Sequence, residues 1–160
     1  MSASDISTAL RRFLAHTPAR TFVLYPLGVI AFELVVRRGD LVFVPWGTPL
    51  LAWGYLQYRL TGNYRVQHGG GGPGITVPPD RLVVDGLYAY TRNPMYLGHL
   101  IFMLGLAVTF QSWAALALLA VNAVWFHRRV LDDEARLRQQ FGSQYVDYRQ
   151  RVKRWIPGVL

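Results

Sequence analysis

Four apolar stretches separated by polar segments organise this chain: Thr21 to Val36, Leu41 to Tyr58, Met95 to Phe110 and Trp113 to Phe126. Each falls somewhat short of the ~20 residues that a helix needs to cross a 30 Å hydrocarbon core. Arginines at their ends can snorkel to the interface and cover the shortfall. In the first stretch Pro26 predicts a bend. In the second, Pro45 and Pro49 predict an irregular helix, and Trp46, Trp53, Tyr55 and Tyr58 lie toward its ends as an aromatic belt does. Only Gln111 and Ser112 separate the third stretch from the fourth, which predicts an antiparallel helical hairpin. Gly98, Gly105, Ala107, Ala114, Ala115 and Ala117 are small enough to let its helices approach closely.

Outside these stretches, Ile6, Ala9, Leu10, Phe13 and Leu14 recur at helical spacing beside Arg11 and Arg12, and Ile6 to Ala15 is expected as a short interfacial helix. The N-terminal segment has no long apolar core and no small-residue cleavage site, so no cleavable secretory signal is expected. Arg59 to Asn93 is the longest polar connection. Its GGGGPG tract, Gly69 to Gly74, spells G-x-G-x-x-G, but TGNYRVQH precedes it and ITVPPD follows it. A dinucleotide fingerprint leaves a strand and opens a helix, so this tract is expected as a flexible loop, a possible lid over a site at the membrane surface. Asp132 to Val152 reads as an amphipathic helical tail broken at Gly142 and stopped by Pro157, with Leu137, Phe141, Tyr145, Tyr148 and Val152 on one face. Glu33, near the end of the first stretch, is expected to pair with Arg37, four residues on. His99 and Asn122 are expected as packing or interhelical hydrogen-bonding groups.

The fold expected is all-α: one domain over 1–160, a polytopic membrane bundle of about four transmembrane helices with an interfacial N-terminal helix and a cytoplasmic C-terminal helical tail. Composition agrees, with 52% apolar residues and 16% charged. The net charge of +8 raises nucleic acid as a partner, but the charges avoid the apolar stretches and gather between them, which is the membrane pattern. Of the 17 lysines and arginines, all but Arg37 and Arg38 lie in the N-terminal segment, the long connection or the tail. That asymmetry places both termini and the long connection in the cytoplasm. With no cysteine the chain has no disulfide, thiolate metal site or cysteine nucleophile, and no metal is expected.

Chemistry-bearing residues gather on this cytoplasmic side. The segment Gly86 to Gly98 reads GLYAYTRNPMYLG. Asn93-Pro94 marks a helix start, since the residue before proline avoids the α region and proline suits a first turn. Arg92 therefore sits at a helix mouth as a permanent cation with a bidentate fork, among Tyr88, Tyr90 and Tyr96. Further on, Arg129 and Asp133 are at i, i+4, and Glu134 follows. By spacing alone these groups make either a binding site for a charged ligand or an interfacial salt-bridge cluster that anchors helix ends.

The order of these motifs, with two apolar helices between them and FGSQYVDYRQRVKRWIP after the acidic pair, resembles the isoprenylcysteine carboxyl methyltransferase and phospholipid methyltransferase families of integral membrane enzymes. The resemblance spans Leu82 to Pro157. It departs from the family pattern at Asp133, where glutamate is usual, at Asn93, where many members have histidine, and at Leu87, where proline is common. It implies a division into N-terminal helices and Gly-rich loop, 1–81, and a cofactor-binding catalytic part, 82–157. It implies S-adenosylmethionine as methyl donor, and a lipidic or hydrophobic acceptor such as an isoprenylcysteine-type carboxylate, already ionised at neutral pH and in need of no general base. It also implies a bacterial cytoplasmic membrane location, with no nucleic-acid or protein partner.

On this resemblance Arg92, Arg129 and Glu134 are the expected catalytic residues, and Tyr88, Tyr90, Arg92, Tyr96, Asp133 and Glu134 the expected cofactor contacts. An arginine fork suits a carboxylate, the acids suit the donor's ammonium or sulfonium, and the phenols suit the adenine or the cation. Two rival classes remain at this point, a sterol-reductase-type membrane enzyme using NADPH and a non-catalytic membrane scaffold. Protection by S-adenosylhomocysteine or by NADPH separates them.

Overall fold

Pro18 stands in the first turn of the first helix, where its missing N–H has no intrahelical partner to lose, and α1 runs over Thr17–Val36. The computed structural model describes residues 16–71, 77 and 79–156. The expected interfacial helix Ile6 to Ala15, the second half of the Gly-rich tract (Gly72 to Gly74) and Pro157 lie outside the described residues. Within α1, Arg20–Leu24 form a π-turn in which the Tyr25 N–H reaches the carbonyl of Arg20. It directly precedes Pro26, whose ring crowds the carbonyl four residues back in a regular α-helix, so the widened turn accommodates the proline that predicted a bend. At the far end Arg37 donates from Nε to Glu33 Oε2 at 2.6 Å, as its spacing predicted, and from Nη2 to the Gln111 carbonyl at 3.0 Å.

The second apolar stretch does not form one irregular helix over Leu41 to Tyr58. Residues 41–44 carry no helix, Pro45–Gly47 make a 3₁₀ turn, and α2 spans Thr48–Gly69. Both prolines stand in the first turn of an element, so they start helices and do not interrupt one. α2 continues well past Tyr58 because its partner helix supports it. Gly54 faces Gly98 so closely that a Cβ on either would lie 2.7–2.8 Å from the other's carbonyl oxygen. The polar connection consequently begins at Gly70, whose φ of 70° turns the chain, and the Gly71 N–H donates to Asp80 Oδ2 at 2.9 Å.

α3, Pro94–Phe110, packs antiparallel to α2, with Gly47 against Thr109, Gly54 against Gly98 and Gly62 against Met95. Gln57 Nε2 donates to the Pro94 carbonyl at 2.9 Å across this seam. α3 ends at Gln111 in the left-handed region, and Ser112 caps α4 by accepting from the Ala115 N–H, completing the expected hairpin. α4 extends over Trp113–Phe141 and takes in the first half of the expected tail. Gly142, at φ 53°, separates it from α5, Ser143–Arg151.

All regular elements among the described residues are helical. By length and composition α1 and α4 are the two that can cross a membrane, and α3 is a shorter apolar helix. At 29 residues and 1.5 Å per residue, α4 is about 43 Å long, more than the ~30 Å core requires. The part from Arg128 onward, where charged residues dominate, therefore projects beyond the apolar stretch. Trp46, Trp113, Val35 and Val121 are exposed, a pattern suited to hydrocarbon and its interface and unlike that of a water-facing surface.

Candidate functional site

The site forms where the mouth of α3, the projecting end of α4 and the segment after α5 converge. Asn93 keeps a non-helical backbone before Pro94, so Thr91, Arg92 and Asn93 lie alongside residues 152–154. The Arg92 N–H donates to the Lys153 carbonyl at 3.0 Å, and Thr91 Oγ1 and Asn93 Nδ2 donate to the Arg154 carbonyl at 3.0 and 3.1 Å. This seam carries Arg92 inward. Its Nη1 donates to the carbonyls of Arg149 and Val152, and its Nε and Nη2 donate to Glu134 Oε1 at 3.2 and 2.9 Å.

Glu134 also receives Arg154, from Nε to Oε1 at 3.0 Å and from Nη2 to Oε2 at 2.9 Å. Burial alone raises its pKa, but the hydrogen bonds and charges of Arg154 and Arg92 outweigh that and hold the carboxyl below its ordinary range. Arg92 is thus occupied by internal acceptors on every nitrogen, and Glu134 on both oxygens. The sequence expectation that Arg92 offers a free fork and Glu134 a free carboxylate does not match this geometry.

Asp133 departs from expectation as well, because Tyr96 stands between it and Arg129. The Tyr96 hydroxyl donates to Asp133 Oδ2 at 2.6 Å and accepts from Arg129 Nε at 3.1 Å. The second partner of Asp133 is Arg136, one turn further on. The Arg129 guanidinium lies over Trp125, 5.6 Å from the ring centroid.

A cavity of about 110 Å³ opens between these elements, lined by Tyr88, Arg92, Tyr96, Asp133 and Glu134 among the residues expected from sequence. Two expected residues stand apart. Tyr90 is 64% exposed, since the 3₁₀ turn Gly86–Ala89 turns it away from Tyr88. Arg129 lies behind Tyr96 and is absent from the cavity wall.

The wall also holds residues that sequence reasoning missed: Arg65 and Pro79 from the part before Leu82, and Arg136, Gln140, Tyr145 and Tyr148 after it. Tyr145 and Tyr148 belong to the apolar face already visible in the tail, and that face was the signal. Tyr148 donates to the Tyr88 carbonyl at 2.7 Å, whereas the buried Tyr145 hydroxyl has no partner among the described residues. Burial pushes the Tyr88 phenol up to about 12, and burial followed by the Glu134 charge pushes Tyr145 up to about 12. Both phenols therefore stay protonated donors at any physiological pH. No three His, Asp or Glu among the described residues gather to hold a metal.

Apolar spanning-length helices carrying a charged, tyrosine-walled cavity at one end define a membrane-type helical protein. A phospholipid methyltransferase family model matches residues 46–144, and the chain belongs to that family. It is similar to the protein-S-isoprenylcysteine O-methyltransferase of Schizosaccharomyces pombe, 37% identical over 78 residues, which are 48% of this chain and 33% of the relative. The protein-S-isoprenylcysteine O-methyltransferase B of Arabidopsis thaliana is 39% identical over 80 residues, 49% of this chain and 41% of the relative. The Mus musculus protein-S-isoprenylcysteine O-methyltransferase is 33% identical over 78 residues, 48% of this chain and 27% of the relative. The matched segment thus spans well under half the length of each of these relatives.

Proposed function

We propose that the protein is an integral membrane methyltransferase that uses S-adenosylmethionine to methylate the carboxylate of an amphiphilic acceptor of isoprenylcysteine type. The observation that carries this reading is the single cavity uniting Tyr88, Tyr96, Asp133 and the unpartnered Tyr145 hydroxyl beside apolar helices α3 and α4. The membrane arrangement that goes with it is a four-span bundle of α1, α2, α3 and α4 with α3 the shortest member, both termini and the cavity on the cytoplasmic face, in a bacterial inner membrane. The chain acts as one unit, in which 1–81 supports 82–157.

S-adenosylmethionine, when bound, supplies a methyl group on a sulfonium, open to in-line attack by an anionic oxygen. The residues fit its charges and rings. Asp133 is the carboxylate suited to its cations, Tyr145 is a donor without an acceptor, and Tyr88 and Tyr96 offer aromatic faces. At about 110 Å³ the cavity is smaller than ordinary ligand sites. Arg136, exposed and tied among the described residues only to Asp133, is the side chain whose displacement enlarges it. Arg92, Glu134 and Arg154 act as positioning residues that fix the C-terminal segment as a wall. Since an ionised carboxylate needs no base, the chain's task is alignment and water exclusion.

The test is mass spectrometry of membranes bearing the protein after incubation with methyl-labelled S-adenosylmethionine, with a thermal scan of the solubilised protein alongside. A labelled acid-derived ester and protection by S-adenosylhomocysteine are expected. Protection by NADPH in its place would transfer the protein to the reductase class, and protection by neither would favour a scaffold.

A further inference from the structure

The charged end of α4 presents two different faces. Asp133, Leu137 and Gln140 border the tyrosine-walled cavity, whereas Leu131, Ala135 and Arg138, likewise at i, i+4 and i+7, line a second groove together with Arg149 and Arg154. At about 540 Å³ this groove is the larger of the two. Glu134 stands between the faces and lines both, but its oxygens already accept from Arg92 and Arg154. Among the described residues no carboxylate lies within ion-pair distance of Arg138 or Arg149. The groove is therefore cationic in sum.

Height along the helix decides what such a groove meets. Trp113 is exposed at the start of α4, as an interfacial tryptophan is, and the ~20 residues that cross a 30 Å core end near Asp132. Leu131, also exposed, lies at that edge, and Arg138 stands about 10 Å further along the axis, in the headgroup layer. The segment after α5 returns to the same level. Trp155 packs on the cluster of Tyr96, Phe126 and Val130, and its Nε1 donates to His127 Nδ1 at 3.3 Å. Arg154, its neighbour in the chain, is thereby held near the bilayer edge. An apolar residue where hydrocarbon ends, with three guanidinium groups at headgroup depth, matches an amphiphile whose phosphate lies close to its chains. A soluble phosphate suits the guanidinium groups but gains nothing from Leu131.

We propose that this groove binds the headgroup of an anionic phospholipid, which bridges Arg138 on α4 to Arg149 and Arg154 and so clamps the segment after α5. The site lies on the other side of Glu134 from the cavity proposed for the donor, and it does not depend on the reaction catalysed. Its effect reaches that cavity nonetheless, because the clamped segment carries the Arg149 and Val152 carbonyls that hold Arg92. Lipid composition thereby stiffens one wall of the cavity.

The test uses the full chain in nanodiscs of phosphatidylcholine with and without phosphatidylglycerol, native mass spectrometry to count retained lipid, and limited proteolysis near residues 149–156. No methyl donor is present, so the result is independent of the methyltransferase reading. Wild type is expected to retain one phosphatidylglycerol in preference to phosphatidylcholine, and to be cut more slowly in discs that contain it. Arg138→Gln with Arg149→Gln is expected to lower the preference about tenfold or more, at roughly fivefold for each arginine beside an anionic headgroup, and to remove the protection. Both side chains are exposed, so the fold is kept. Arg128→Gln with Arg151→Gln removes the same charge outside the groove and is expected to leave both effects intact. No preference in wild type overturns the proposal, as does the full preference in the groove variant. Equal loss in both pairs reduces the effect to general surface charge and overturns the site. Glycerophosphoglycerol, the headgroup without chains, is expected to leave the retained lipid in place. Displacement by it means that a soluble anion is bound, and the lipid assignment falls. Retention without slower proteolysis overturns the clamp.

Discussion

Arg92 and Glu134 are 42 residues apart in sequence, yet the guanidinium donates twice to one carboxylate oxygen, and each side chain is only 8% exposed. With Arg154 on the same carboxylate, the cluster holds two cations against one anion in a partly desolvated place. Such a pair has one strong property, which is the penalty for removing either member.

Glu134→Gln is therefore expected to act on stability first. It leaves Arg92 and Arg154 without their anion, at a cost of about 3–5 kcal/mol for breaking a buried pair. Asp133→Asn is expected to act on the donor, lowering S-adenosylhomocysteine affinity about tenfold to a hundredfold with little change in stability. Thermal unfolding and calorimetric titration of both variants in detergent check the contrast. The opposite pattern, with Glu134→Gln stable and unable to bind, would return Glu134 to direct donor contact.

Arg92→Lys keeps one charge but cannot reach Glu134 and the Arg149 and Val152 carbonyls together. The expected result is release of the segment after α5, seen as faster proteolysis near residues 149–156 and a stability loss of about 1.5–3 kcal/mol or more. Normal protease resistance in this variant would count against the seam as the wall's anchor.

Stability is expected to fall at both ends of the pH range. The Glu134 carboxyl is held below its ordinary value of 4.5, so its contribution is complete above about that pH and disappears as the solution is acidified through the lowered folded value. The Tyr88 and Tyr145 phenols are raised from 10.0 to about 12, so their burial stabilises the fold below pH 10 and ceases to do so between there and about pH 12. Ultraviolet titration, run beside a circular dichroism record of folding, should find these tyrosines ionising only as the protein unfolds. A phenol that titrates near 10 in the folded state would contradict its burial.

Gly98→Leu is expected to separate α2 from α3, since even a Cβ would lie 2.8 Å from the Gly54 carbonyl oxygen. Overpacking costs about 1–3 kcal/mol, and here the obstacle is backbone that cannot rotate away, so the upper end applies. Yield of folded protein after solubilisation is the readout, with Gly28→Leu as control because nothing lies within 4 Å of that position.

A reporter fused after Leu160 is expected to face the cytoplasm, on the strength of the basic asymmetry between segments. Labelling from the opposite side of the membrane would break the four-span arrangement.

What could be read from the chain beforehand followed locality. Asn93-Pro94 placed Arg92 at a helix mouth, Gln111 and Ser112 marked the hairpin, Gly142 marked the break in the tail, and Glu33 found Arg37 one turn away. What could not be read depended on a partner from another element. α2 outlasts its apolar stretch where Gly62 meets Met95 of α3 and Gly69 meets Val83. Asp133 turns from Arg129 because the Tyr96 hydroxyl arrives between them. Arg154 looks like any other basic residue of the tail until Glu134 is seen beside it. Tyr90 lies off the cavity wall because a 3₁₀ turn does not place alternate residues on one side.

The seam between Asn93 and Arg154 also sets an order of events during synthesis. The two residues joined by this hydrogen bond are 61 positions apart, which at about 5–20 residues per second corresponds to roughly 3–12 s of elongation. Throughout that interval α3 and α4 emerge while Arg92 and Glu134 still lack the carbonyls and the second guanidinium that fix them. A nascent chain therefore completes its apolar helices before it owns the cavity walled by Tyr88, Tyr96 and Tyr145, so whatever that cavity binds meets a competent protein only after those helices have emerged.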